Sequence, residues 1–201
     1  NYLLAGFFIV LKSVIDAADG ELARLKNTPS YVGRYLDSVF DIILNFLFVL
    51  TICFVSETPL WMAFLAFFCI QLQGTLYNYY YVILRHKSVG GDSTSKIFEY
   101  KSPTALPGEK QRNVDILFRI YTIVYGLFDK IIHALDRNAY KVKTFPNWFM
   151  TAISIYGLGF QLLLIAIMLP LNLIEYILPF FIIFTVFLFV FIAIRKRYIK
   201  A

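Results

Sequence analysis

Apolar residues run in long blocks along this chain, and polar ones collect in the joints between them. A helix needs about 20 mostly apolar residues to cross a hydrocarbon core of about 30 Å. Four blocks reach that length: Leu36–Val55, Leu60–Leu84, Trp148–Leu169 and Leu171–Ile194, the last two separated only by a turn at Pro170 and Asn172. A fifth, Tyr2–Ile15, begins with the sequence itself. Because the chain opens on Asn1 and is already apolar, the pattern predicts a natural protein that extends further toward the N-terminus and carries another span. A signal peptide is disfavoured, since neither a basic leader nor a small-residue cleavage site accompanies the block.

The segment 113–135 is apolar enough to resemble a span, yet its pattern differs. Asp115, Arg119, Thr122, Asp129, His133 and Asp136 recur at helical intervals on one stripe, opposite Leu117, Phe118, Tyr121, Val124, Leu127, Phe128 and Ile131. Basic residues decide how to treat it. They favour the cytoplasmic side of short loops, and eighteen of the nineteen fall on one face if 113–135 does not cross; only Lys12 is left over. If it crossed, the Arg195-Lys196-Arg197 cluster would face the wrong side. The predicted fold is therefore an all-α integral membrane protein, a bundle of five spans with a cytoplasmic interfacial amphipathic helix over 113–135. Three regions follow: a first transmembrane half (1–84), a basic cytoplasmic connector (85–147) and a C-terminal transmembrane hairpin with a basic tail (148–201). Within the connector, the Gly- and Pro-containing stretch from Lys87 to Arg112 is expected to lack stable structure.

Composition sharpens this picture. With 59% apolar residues, 16% charged residues and a mean hydropathy of +0.68, most soluble classes are excluded. The net charge of +6 points to an anionic bilayer or phosphate-bearing substrates. Nucleic acid is not an expected partner, because the basic residues flank apolar blocks and form no solvated face. Cys53 and Cys69 lie inside apolar blocks without metal-ligand spacing and read as small hydrophobes.

One joint carries chemistry. It reads Asp16-Ala17-Ala18-Asp19-Gly20-Glu21-Leu22-Ala23-Arg24, then after eight residues Gly33-Arg34-Tyr35-Leu36-Asp37-Ser38-Val39-Phe40-Asp41. Asp16 and Asp19 are three apart and Asp37 and Asp41 four apart, so each pair shares a helix face. Packing the two helices antiparallel would bring four carboxylates together at the edge of a bilayer, where their repulsion calls for a divalent cation. All-oxygen ligands suit Mg²⁺ or Mn²⁺, one or two ions, which complete their shells with water and substrate phosphates. Gly20 and Ala23 allow a close approach to the helix backbone, and Arg24 offers a planar fork of donors to phosphate oxygens.

The pattern D-x-x-D-G-x-x-A-R-x8-G-x-x-x-D-x-x-x-D resembles the signature of the CDP-alcohol phosphotransferases, integral membrane enzymes of phospholipid synthesis. Asp16, Asp19, Gly20, Ala23, Arg24, Gly33, Asp37 and Asp41 meet every fixed position. The resemblance implies a six-helix fold lacking one N-terminal helix here, a homodimer and a site open to the cytoplasm and the membrane. It implies a donor, CDP-diacylglycerol or a related CDP-alcohol, whose group passes to a hydroxyl acceptor with release of CMP. Asp16, Asp19, Asp37 and Asp41 would hold the metal, Asp41 would be the catalytic base, and Asp16, Gly20, Ala23, Arg24 and Gly33 would bind the nucleotide. The variant Asp-Gly-Glu-x-Ala-Arg looks like that of the inositol-phosphate-using branch, but Glu21 is a variable position, and the acceptor alcohol stays open.

Two other classes compete with this one. A transporter could use the acids to bind its cation, but such groups usually sit mid-membrane on broken helices within repeats, and no repeat is evident. A non-catalytic scaffold would tolerate loss of Asp37 and Asp41. Among weaker signals, Lys12 lies one turn before Asp16 and could pair with it or touch an acceptor's phosphate; an ion pair or a snorkelling side chain is the favoured reading. Asn45, and Gln71 with Gly74 and Asn78, are expected to serve helix packing. His86 and His133 read as solvated surface residues, and Tyr77, Tyr79, Tyr80 and Tyr81 as an interfacial aromatic belt.

Overall fold

The computed structural model describes residues 1–26, 28–88, 99 and 101–199, apart from the side chains of Ala23, Arg24 and Ser88. Among them lie eight α-helices and no strand: α1 (Tyr2–Leu25), α2 (Tyr31–Val55), α3 (Leu60–Ser88), α4 (Gln111–Leu135), α5 (Asn147–Ile153), α6 (Leu158–Met168), α7 (Ile174–Phe184) and α8 (Val186–Tyr198). Short 3₁₀ turns, Ala139–Lys141 and Ser154–Tyr156, join α4 to α5 and α5 to α6.

Three helical stretches are long and apolar enough to cross a membrane: Tyr31–Val55, Leu60–Lys87 and Ile174–Tyr198. They contain the predicted spans Leu36–Val55 and Leu60–Leu84 and overlap Leu171–Ile194, which begins three residues earlier. A fourth, predicted as Trp148–Leu169, is a pair of helices bent by 52°. The bend falls at Gly157, whose backbone is extended and whose N–H bonds to Ser154 instead of continuing the helical ladder. A β-carbon there would sit 3.0 Å from Ser154 O and 3.4 Å from the Tyr77 ring, a tight fit that a larger residue could enter only if these neighbours gave way. The fifth, Tyr2–Ile15, forms the first part of α1. Any 18 consecutive residues of α1 include Lys12, Asp16 and Asp19, which sets it apart from the other spans. The tight turn expected at Pro170 and Asn172 is present, with Asn172 in the left-handed region at φ 59° that Asn tolerates.

Two large apolar clusters and a smaller one at Tyr35, Val114 and Phe118 hold the bundle. In the first, Ile9 of α1 meets Val49, Ile52, Ala66, Ile70, Ile165 and Phe181 from α2, α3, α6 and α7; in the second, Tyr80 and Ile83 of α3 meet Ile132, Phe149, Tyr156 and Leu188. Gly6 lets α1 lie against α6, because a β-carbon would come within 2.6 Å of the Ala166 carbonyl oxygen. Outside these clusters, large apolar side chains such as Ile43, Phe54, Phe64, Ile183 and Phe189 face outward. Contiguous exposed apolar surface of this kind is stable against lipid and not against water. The chain is an integral membrane protein.

The connector differs from expectation. Residues 89–98 and 100 lie outside the described part, but Glu99 and 101–112 are not structureless. They are tied to the start of α2 by the hydrogen bonds detailed below. The segment predicted as an amphipathic helix is α4. It buries Val114, Phe118, Phe128 and Ile132 against α2 and α3, yet it also exposes a second apolar stripe at Ile116, Ile120, Ile123 and Leu127. Asp136, assigned to the solvated stripe, is fully buried, because Arg195 and Tyr80 converge on it. Those two residues are thereby withdrawn from the surface cluster and the aromatic belt.

Candidate active site

The motif occupies the last turns of α1 and the first turns of α2. Asp16, Asp19 and Gly20 continue the helix that starts at Tyr2, so the first acid pair projects from its C-terminal end. Ala23 and Arg24 lie in the same helix, with their side chains outside the described atoms. α2 begins cleanly. Ser30 is its N-cap in extended conformation, and its hydroxyl accepts the Gly33 N–H at 2.8 Å. This places Gly33 in the first turn, Asp37 in the second and Asp41 in the third.

The two acid pairs lie within electrostatic reach of each other across the junction, without an extended packed interface and without gathering tightly. α1 packs chiefly on α6, and α2 on α3, α4 and α7. What joins the motif helices is Lys12. Its ammonium pairs with Asp16 on its own helix and with Asp41 across on α2, at 2.6 Å from Asp41 Oδ1. The pairing with Asp16 was expected; the bridge to Asp41, 29 residues away, had no sequence signal. Asp37 lies within electrostatic reach of Asp16, Asp19, Asp41 and Lys12. Asp16, Asp19 and Asp37 are exposed and Asp41 is half-buried, so the cluster opens to solvent.

Charge balance is the main property of this site. Four carboxylates face one described ammonium, an excess that hard divalent cations satisfy. As they stand, no three acidic, histidine or cysteine side chains among the described residues gather closely enough to hold an ion. The donor set is thus chemically suited to a metal, while Lys12 takes up part of the negative charge.

Several residues near the motif escaped the sequence reading. Arg34, two positions inside the second half of the motif, donates from Nη1 and Nη2 to the two carboxylate oxygens of Glu99, both at 2.6 Å, and its guanidinium stacks 4.4 Å from the Tyr35 ring centre. Tyr35 is fully buried, touches Phe118 and Tyr121 of α4, and donates its hydroxyl to Glu99 Oε2 at 2.7 Å. Tyr125 of α4 donates to the Ser38 carbonyl at 3.1 Å. Glu109 accepts the Ser30 hydroxyl at 2.7 Å and the Val32 N–H at 2.8 Å. Burial would raise its carboxyl, but these hydrogen bonds prevail and hold it below the usual glutamate value. Asp129, one turn past Tyr125, is open to solvent on one side but crowded on the other. That crowding, aided by the charge of Glu99, pushes it up to about 6. Periodicity alone could mark none of these partners, although Glu99 and Glu109 are two of only three acids between Arg85 and Arg112.

A cavity of about 460 Å³ lies elsewhere, where Asp136, Arg137, Lys141 and Lys196 bring the ends of α4 and α8 together. It contains no motif residue.

The fold and site together are those of a helical membrane bundle that carries four acids on two adjoining helices. The sequence profile of the CDP-alcohol phosphatidyltransferases matches residues 1–192, and the chain belongs to that family. No curated protein and no solved structure matches it.

Proposed function

We propose that this protein transfers a phosphatidyl-type group from CDP-diacylglycerol, or a related CDP-alcohol, to a hydroxyl acceptor and releases CMP, as a step in phospholipid synthesis. The observation that carries the reading is the meeting of Asp16, Asp19, Asp37 and Asp41 at the α1–α2 junction with all eight family positions in place. Family membership supports the reaction class.

In this reading Asp16, Asp19 and Asp37 would hold one Mg²⁺ or Mn²⁺ ion, and Asp41 would share a second where two bind. When bound, the ions neutralise charge developing on the CMP leaving group. Gly20, Ala23 and Gly33 leave room for the nucleotide, and Arg24 binds phosphate oxygens through its fork of donors. Asp41, oriented by Lys12, accepts the proton of the acceptor alcohol. The alcohol oxygen then bonds to the phosphorus nearest the lipid alcohol, as the bond from that phosphorus to the bridging oxygen of CMP breaks. The site faces the cytoplasm, α4 lies along that interface, and two copies of the chain pair as a homodimer. The concentration of basic residues on the connector and tail supports the orientation.

The test offers purified protein labelled CDP-diacylglycerol with glycerol phosphate, inositol phosphate, serine or a lipid alcohol. CMP and one labelled lipid product are expected with Mg²⁺, and neither with a chelator. Failure of every donor and acceptor pair to yield CMP would sink the proposal.

A further inference from the structure

We infer that Glu99 of the connector is a positioning residue for the reaction: by gripping Arg34 and Tyr35 it sets the first turns of α2, and with them Asp37 and Asp41. This rests on the reaction proposed above. Arg34 sits between Gly33 and Asp37, where a cation invites assignment as a phosphate ligand. Its geometry says otherwise. Both terminal nitrogens are spent on Glu99, the guanidinium face lies on Tyr35, and only 18% of the Arg34 side chain and 10% of that of Glu99 are exposed. A forked, mostly buried pair of this kind fixes direction as well as distance, which a lysine would not.

The adjoining residue, Tyr35, adds a third bond to the same carboxylate and is wedged against α4. Two successive residues just ahead of Asp37 are therefore locked to one connector side chain. α2 needs such a brace at this end, because α1 meets it mainly through Lys12. Without Glu99, a buried guanidinium would be left without its counter-charge and driven toward water, carrying the helix start with it. Small displacements of reacting groups cost large factors in rate.

The experiment compares wild type, Glu99→Gln, Arg34→Glu, the charge-swapped pair Arg34→Glu/Glu99→Arg, and Ser102→Ala, a connector variant whose hydroxyl bonds to Asp115 of α4. Each is purified as the full chain in nanodiscs. For Glu99→Gln, kcat for CMP release is expected to fall by about tenfold to a hundredfold with the donor KM within about twofold. Amide exchange over residues 30–38 should quicken. The swapped pair should regain most of what Arg34→Glu loses, and Ser102→Ala should match wild type. An unchanged kcat in Glu99→Gln overturns the inference, as does a lowered kcat with unchanged exchange. If wild type itself releases no CMP, the reaction fails while exchange still decides the brace: unaltered exchange over 30–38 in Glu99→Gln overturns it.

Discussion

Two charged assemblies in this molecule use the same residue types to opposite ends. At the α4–α8 junction Asp136 and Arg195 form a closed pair, with side chains 0% and 5% exposed, and Tyr80 donates to the same carboxylate at 2.6 Å. At the α1–α2 junction Lys12, Asp16 and Asp41 are 22%, 41% and 21% exposed, and Asp19 and Asp37 add two further charges that no described cation balances. The first is balanced and buried, as such a pair must be to persist, although a cavity adjoins it. The second is open and over-charged. Acids held in excess at a membrane edge are kept at a cost in repulsion, which is why the proposed reading gives them a ligand that supplies positive charge. Balance and exposure together separate a structural knot from a chemical one where residue identity does not.

This contrast can be broken most severely by neutralising the open cluster. Asp41→Asn should lower kcat for CMP release by about 10² to 10⁴-fold while the unfolding midpoint in detergent changes little, because the lost bridge to Lys12 and the relieved repulsion from the other acids offset each other. The reverse profile is expected at the closed pair. Asp136→Ala leaves Arg195 buried without its partner and should cost about 3–5 kcal/mol of stability, read by thermal or denaturant unfolding, with activity per folded molecule retained. Adding Arg195→Met to that variant should recover much of the loss. A smaller effect is expected from Lys12→Met, which takes one positive charge away from Asp16 and Asp41. At about 1 kcal/mol per charge near 4 Å in water, half-saturation by Mg²⁺ should move to roughly fivefold lower concentration in a metal titration of CMP release. The smallest effect concerns Glu109. Its folded carboxyl lies below the ordinary 4.5, so its contribution is present above that value and is lost as pH falls through the folded value. Amide exchange at Tyr31–Gly33 should therefore rise below about pH 4.5 in wild type, and Glu109→Gln should show that faster exchange at every pH.

Much of this arrangement was legible in the sequence because it is written in local spacing. The apolar blocks located α2, α3 and the final span, and the i, i+3 and i, i+4 acids placed both carboxylate pairs correctly on helix ends. What escaped has a common cause. Lys12 to Asp41, Arg34 to Glu99 and Arg195 to Asp136 join residues 29, 65 and 59 positions apart. No periodicity encodes such partners; only the packing of the bundle brings them together. Asp136 read as solvated because it continues the polar stripe of α4, yet α3 and α8 close over that end. Glu99 read as part of a loose connector because glycine and proline flank it, while the bonds that hold it come from a different helix. Gly157, sitting within an apolar run, gave no sign of a bend until its neighbours Ser154 and Tyr77 were in place.

The central claim is that the acids at the α1–α2 junction perform metal-assisted transfer from a CDP-alcohol. Its most direct test is CMP release from labelled CDP-diacylglycerol by purified wild type, Asp37→Asn and Asp41→Asn at matched folded concentration, with Mg²⁺ and with a chelator. The account predicts release by wild type with Mg²⁺ alone and near-complete loss in both variants. Equal release by all three proteins, or release that ignores the chelator, would contradict it.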